Sequence, residues 1–283
     1  MRKRSVRLSQ LGELGLLAEL EERGLARRIE NDAAQLGGGL VVTQDALVED
    51  VHFRFDLLSW RDLGFRAAAV NLSDLAASGA HPEALVVTLA LPPETALDDV
   101  VELYEGLNEP GVPIVGGDTT RSERAMLSVT ALGRSDRVPG RTGARPGDVL
   151  VVTGPLGAAG AAFRKGRLAR PPLRLAEGKE LGASAHALLD ISDGLAVDAG
   201  RIAERSGVRC VIDLEDVPLA EGAELDDLGF GEDYELLAAV SDPGRFTAIG
   251  RCEEGSGVAI RLSGEPVPLK GWDHFRMPNP DLR

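Results

Sequence analysis

Residues 61–78 read Arg61-Asp62-Leu63-Gly64-Phe65-Arg66-Ala67-Ala68-Ala69-Val70-Asn71-Leu72-Ser73-Asp74-Leu75-Ala76-Ala77-Ser78. Alanine and leucine dominate, and Leu63, Ala67 and Val70 recur on one face at helical spacing, which predicts a helix. Leu72, Leu75 and Ala76 make the other faces apolar as well, so the helix is predicted to be buried. Before it, Leu40-Val41-Val42-Thr43 follows three glycines and reads as a strand that delivers Gln44 and Asp45 to its end. After it come a strand from Leu85 to Leu91 stopped by Pro92 and Pro93, a helix from Thr95 to Leu107, a short strand from Val112 to Val115, and a strand from Met126 to Leu132. An amphipathic helix over Leu8 to Leu20 precedes them all.

The second half repeats this mixture. Asp148 to Thr153 reads as a strand, and Gly154, Gly157 and Gly160 form a tight turn that opens an alanine-rich helix. Helices are predicted from Arg174 to Ala187 and from Leu195 to Arg205, and extended segments at Arg209 to Leu214, Asp233 to Val240 and Val258 to Leu262. Gly140 to Gly147 has the composition of a linker, so the boundary is placed near Arg137, with one domain over 1–137 and another over 138–283. Strands mixed with helices in both halves predict an α/β (α+β) fold of two sheet-and-helix domains, not a bundle or a sandwich.

The whole chain carries 45 acidic against 31 basic residues, a net charge of −14. Nucleic acid and anionic membranes would be repelled by such a surface, whereas metal cations suit it. No apolar run approaches the roughly 20 residues of a membrane span. Arg2, Lys3, Arg4 and Arg7 resemble the start of a targeting signal, but Glu13, Glu19, Glu21 and Glu22 follow where an apolar core belongs, so a solvated tail is expected. The only cysteines, Cys210 and Cys252, have neither disulfide-framework nor zinc spacing and predict reduced thiols in a cytoplasmic protein.

Six aspartates stand beside apolar or glycine-rich stretches: Asp32, Asp45, Asp74, Asp118, Asp190 and Asp193. Asp74 shares a helix face with Asn71, and Arg66, its nearest cation along the chain, is about two turns away. A buried carboxylate without a partner costs several kcal/mol, which divalent metal would remove. Oxygen-only donors suit magnesium. Capping and turn roles explain any single one of these aspartates, but not readily all of them. Val115-Gly116-Gly117-Asp118-Thr119-Thr120 reads as a strand running into a loop whose glycines let the backbone approach a phosphate or metal. No Walker or protein-kinase motif occurs, so any use of ATP requires another scaffold.

In order, Leu11-Gly12-Glu13-Leu14-Gly15, Thr43-Gln44-Asp45, Val51-His52-Phe53, Asn71-Leu72-Ser73-Asp74, Gly116-Gly117-Asp118-Thr119-Thr120-Arg121, Arg141-Thr142-Gly143, Asp190-Ile191-Ser192-Asp193-Gly194, Gly231-Glu232-Asp233-Tyr234-Glu235-Leu236 and Gly271-Trp272-Asp273 resemble the thiamine-monophosphate kinase family. That family shares a superfamily and fold with aminoimidazole ribonucleotide synthetase, selenophosphate synthetase and the hydrogenase-maturation protein HypE. The resemblance implies ATP-dependent phosphorylation of thiamine phosphate to thiamine diphosphate, with the N-terminal domain binding metal and ATP, and a homodimer that pairs its N-terminal sheets into a shared barrel. It implies magnesium at Asp32, Thr43, Gln44, Asp45, Asp74, Asp118, Asp190 and Asp193, ATP at Tyr104, Gly117, Asp118, Arg141 and Ser192, and thiamine phosphate at His52, Glu232 and Trp272.

The chain departs from the family pattern at Glu30-Asn31-Asp32, where Gly-Asp-Asp is usual, at Gln44, where threonine or serine is usual, and at Phe230, where glycine is usual. The segment between Gly160 and Pro171 is also short. Selenophosphate synthetase and HypE are disfavoured because the cysteines they require are absent. Two alternatives remain: an aminoimidazole-type synthetase, and a catalytically weakened nucleotide- or thiamine-binding regulator.

Overall fold

A computed structural model describes residues 6–27, 31–269 and 271. Arg2, Lys3, Arg4, Glu30 and Trp272 lie outside the described residues.

The first unit is a five-stranded sheet in the order β1-β2-β5-β3-β4, built from β1 (Ala34–Gln35), β2 (Leu40–Val48), β3 (His81–Leu91), β4 (Ile114–Arg121) and β5 (Met126–Arg134). Pairing is antiparallel except between β3 and β4. Helices α2 (Trp60–Ala77) and α3 (Leu97–Asn108) cover one face, while α1 (Leu8–Glu22) is kinked at Gly12. Ser59 caps α2 by accepting from the Asp62 amide. A Cβ on Gly64 would lie 1.9 Å from the Leu103 carbonyl, and one on Gly106 equally close to that of Arg61, so only glycine lets these two backbones meet.

The second unit is a seven-stranded sheet in the order β12-β11-β8-β10-β6-β9-β7. Its strands are β6 (Val149–Val152), β7 (Ala187–Asp190), β8 (Arg209–Asp213), β9 (Leu236–Val240), β10 (Thr247–Glu253), β11 (Gly257–Leu262) and β12 (Glu265–Pro266), with α4 (Ala158–Phe163), α5 (Leu175–Ser184) and α6 (Leu195–Ser206) packed around them. Cys210 and Cys252, distant in sequence, are register partners across β8 and β10 and are free, buried thiols.

Helix α2 belongs to both units. Its middle packs with Leu85, Val87 and Leu127 of the first sheet, whereas Ala76 and Ala77 at its end join Leu181, Leu188 and Leu236 of the second. Burial on both sides explains why apolar residues dominate every face of this helix.

Several elements differ from the sequence reading. Strand β2 runs on to Val48, placing Gln44 and Asp45 within it and not at its end. Gly116 to Thr120 continue β4 instead of forming a loop. The helix expected up to Ala187 stops at Ser184, and β7 begins at Ala187. Strand β10 was not anticipated, because a register shift between Ala248 and Gly250 breaks the two-residue alternation that marks a strand.

Candidate active site

A cavity of about 340 Å³ opens where α1, β2, α2 and the loops after β7 and before β9 converge. Each aspartate reaches it by a local device. Asp74 projects from the last turn of α2. Thr43 and Asp45 lie two apart on β2, so they share a face. The Asn71 side chain clamps that strand to the helix, accepting from the Asp45 amide at 3.0 Å and donating to the Ala67 carbonyl at 2.9 Å. Asp190 ends β7, and Ser73 donates to its Oδ2 at 2.6 Å. Asp198, fully buried in the first turn of α6, accepts from the amides of Ser192 at 3.1 Å and Asp193 at 3.0 Å, fixing the loop that carries both.

Asp32, Asp74 and Asp190 present carboxylate oxygens all within 4.8 Å of one another. Mutual repulsion at that distance opposes ionisation. Burial, reinforced by Asp45, Asp190 and Asp32, pushes the Asp74 carboxyl well above its ordinary range. Burial and Asp32 do the same to Asp190. Burial raises Asp198 to about 7 even though Arg201 opposes the shift. Cationic side chains offset part of the excess negative charge: Arg141 pairs with Asp32, and Arg201 bridges Asp193 and Asp198. Asp74 is half-buried at the cavity wall and is bonded by the Thr43 hydroxyl. A pole of hard oxygen donors, with more negative charge than its two arginines neutralise, fits a divalent cation of the magnesium type.

The same cavity is also lined by His52, Glu232 and Tyr234. His52 Nδ1 accepts from the Val48 amide at 3.1 Å, so the neutral ring holds its proton on Nε2. Glu232 is ion-paired to Arg66 at 2.7 Å. Of the rest of its motif, Asp233 caps α4, accepting from the Gly157 amide at 2.8 Å, and Glu235 is forked to Arg174. Phe230, an unusual residue at its position, stacks on Phe163 of α4 at 5.3 Å.

The cavity therefore unites Asp32, Thr43, Gln44, Asp45, His52, Asp74, Arg141, Asp190, Ser192, Asp193 and Glu232, all of them named from the sequence. Tyr104, Gly117 and Asp118 do not reach it within one chain. Asp45, Val129, Val87 and Gly117 are successive register partners, so Gly117 stands three strands from Asp45, roughly 14 Å at ordinary strand spacing. Tyr104 lines a separate groove on α3. Sequence reasoning missed Arg201, Asp198 and Glu13. Arg201 follows Asp198 by three residues on one helix face, a pairing pattern visible in the sequence; Glu13 lies in the Leu11–Gly15 stretch that carries the resemblance, which assigns it no role.

The chain matches the models of the AIR synthase related protein N-terminal domain over residues 30–135 and C-terminal domain over residues 145–262. The thiamine-monophosphate kinase of Aquifex aeolicus (strain VF5) is 33% identical over 95% of this chain and 100% of its own length. The Escherichia coli (strain K12) enzyme of the same name is 34% identical over 94% and 99%. The chain belongs to the thiamine-monophosphate kinase family. The solved structure of AaThiL complexed with AMPPCP and TMP superposes with a TM-score of 0.86 at 32% identity, covering 96% of this chain and 100% of that one. The HypE–HypF complex, at 20% identity and a TM-score of 0.77, shares the fold. In this thiamine-monophosphate kinase family member the aspartate pole lies between the two matched domains, with α2 as the common wall. No helix among the described residues is long and apolar enough to cross a membrane.

Proposed function

We propose that this chain transfers the terminal phosphoryl group of ATP to thiamine phosphate. A phosphate oxygen of thiamine phosphate forms the new bond to the γ-phosphorus, the bond to the β-phosphate bridging oxygen breaks, and thiamine diphosphate and ADP leave. The observation that carries this reading is the meeting of Asp32, Asp74 and Asp190 within 4.8 Å in a cavity shared by both domains.

A phosphate monoester has a second pKa near 6, so the attacking oxygen is already largely deprotonated at neutral pH and no general base is needed. The protein's task is alignment and charge neutralisation. Asp32, Thr43, Gln44, Asp45, Asp74, Asp190 and Asp193 would hold magnesium, which supplies Lewis-acid neutralisation of the two phosphates when bound. Arg141 and Ser192 line the same cavity and would receive the nucleotide. His52 and Glu232 line the same cavity and would receive the organic end of thiamine phosphate.

The reading includes a homodimer in a reducing, cytoplasmic setting, the latter supported by the adjacent free thiols. Residues 43–48 of β2 have no strand partner on their outer edge among the described residues, and β4 is an exposed edge strand. Edges left open in this way invite pairing with another chain. Two such sheets closing edge to edge would make a barrel and would bring the β4 edge of a second chain, which carries Asp118, to the open edge of β2.

Incubating the purified protein with magnesium, ATP and thiamine phosphate, and following thiamine diphosphate by chromatography, tests the proposal. Product that disappears with EDTA supports it. Binding of thiamine phosphate without product favours the regulator suggested by Glu30, Asn31 and Gln44 in the sequence, and turnover of an aminoimidazole precursor instead would reassign the chain within the superfamily.

A further inference from the structure

Arg66 is about two turns from Asp74 on α2, yet it does not serve the aspartates. Its side chain is 3% exposed, and its Nη2 lies 2.7 Å from Glu232 Oε1. Nη1 donates to the Ala169 carbonyl at 3.1 Å, and Cζ stands 5.8 Å from the Tyr234 ring centroid. Nε has no hydrogen-bond partner. A guanidinium buried this deeply needs a compensating charge, and among the described residues Glu232 is the carboxylate that ion-pairs with it.

The backbone under Glu232 is held against its own preference. Gly231, Glu232 and Tyr234 have φ of 80°, 59° and 52°. Each non-glycine residue in that region costs on the order of 1–3 kcal/mol and persists only where its surroundings impose it. Here the amides of Glu232 and Tyr234 are tied to the carbonyls of Ser192 at 2.8 Å and Ile191 at 2.9 Å. A Cβ on Gly231 would sit 2.3 Å from the Ser192 carbonyl. The outcome of this strain is one placement for the Glu232 side chain, at the cavity wall and in contact with Arg66.

A carboxylate repels phosphate, so Glu232 suits the other end of the acceptor, where a hydrogen-bond donor or a cationic ring would meet it. We propose that Arg66 is a positioning residue that sets substrate specificity: it holds the Glu232 carboxylate aimed into the cavity to receive the amino-pyrimidine or thiazolium end of the acceptor. This inference rests on thiamine phosphate being the acceptor. Arg66 also grips the segment after α4 through Ala169, so that segment and the specificity wall are mechanically one piece. The planar fork of arginine suits this double grip better than a lysine ammonium.

Steady-state kinetics of the full chain decide it. Arg66→Met is expected to raise KM for thiamine phosphate about tenfold while KM for ATP stays within about twofold, and Arg66→Lys recovers part of the loss. Glu232→Gln raises the same KM, and adding Arg66→Met to it changes little, because Arg66 acts through Glu232. Equal rises in both KM values, or full additivity in the double variant, overturn the proposal. Should Arg66→Met fail to fold, Arg66→Lys alone decides: a selective rise in KM for thiamine phosphate sustains the proposal, and wild-type values overturn it. A wild type without turnover sinks the enzyme reading separately, and the same selective loss, read as Kd for thiamine phosphate, then decides Arg66.

Discussion

Ser73 Oγ donates to Asp190 Oδ2 at 2.6 Å, joining the helix of the first unit to the last residue of a strand in the second. One residue further along α2, Asp74 repels the carboxylate that Ser73 holds. Attraction and repulsion side by side keep the two units in register while leaving a charge deficit between them. Four predictions rest on that deficit and its surroundings.

Asp74→Asn is expected to abolish magnesium-dependent turnover, because an amide is a weak magnesium ligand of unchanged shape. Without metal the variant is more stable than the wild type, since one of the mutually repelling carboxylates is gone. Thermal melts with and without magnesium check both halves: the cation raises Tm by several degrees in the wild type and by little in the variant. Wild-type activity would remove Asp74 from the site.

Gln44 donates its Nε2 to Ser128 Oγ at 2.8 Å, which turns its carbonyl oxygen away from that contact. Gln44→Thr replaces a long amide with the hydroxyl typical of the family. The magnesium concentration giving half-maximal rate is expected to fall about threefold, on the order of 0.6 kcal/mol. A magnesium titration showing no change would mean that Gln44 lies outside the metal set.

Burial raises Asp233 from 3.8 to about 6, against the pull of the Gly157 and Ala159 amides. An acid with a higher pKa folded than unfolded binds its proton more tightly in the folded state. Its effect is neutral below about pH 4, and stability is lost as pH rises from about 4 to about 6. Asp233→Asn is expected to flatten the fall of stability across that window by about 1 to 3 kcal/mol. Denaturant midpoints at half-unit pH steps measure it, and parallel curves for the two proteins would contradict the assignment.

Val86 is half-buried, one residue from the buried Val87 and on the opposite face of β3. In the proposed barrel dimer this face would turn inward, so Val86→Glu would bury an unpaired charge and is expected to shift the protein from twice 29.9 kDa to 29.9 kDa in light scattering. Activity is expected to fall with it, because in that proposed dimer Asp118 would reach the cavity from the second chain. A fully active monomer would refute the shared site.

Much of this protein was legible in its sequence. The apolar run from Leu63 to Ala77 announced a helix buried on all sides, and the aspartates misplaced among apolar and glycine-rich neighbours announced the cavity. Both signals are local, because burial imposes composition and an unpaired carboxylate demands a cation wherever the chain leads it. Strand β10 and the full length of β4 were hidden, because a register shift and a pair of glycines erase alternation.

Tertiary structure alone decided the partnerships. Along the chain Arg66 is only the cation nearest Asp74, too far to serve it, and folding pairs it with Glu232, 166 positions away by subtraction of the residue numbers. Folding likewise put Asp118 three strands from Asp45, on the edge strand of the first sheet. Which charges meet depends on strand order and helix packing, and these follow from how distant apolar faces cover one another, a property that no single stretch of residues carries.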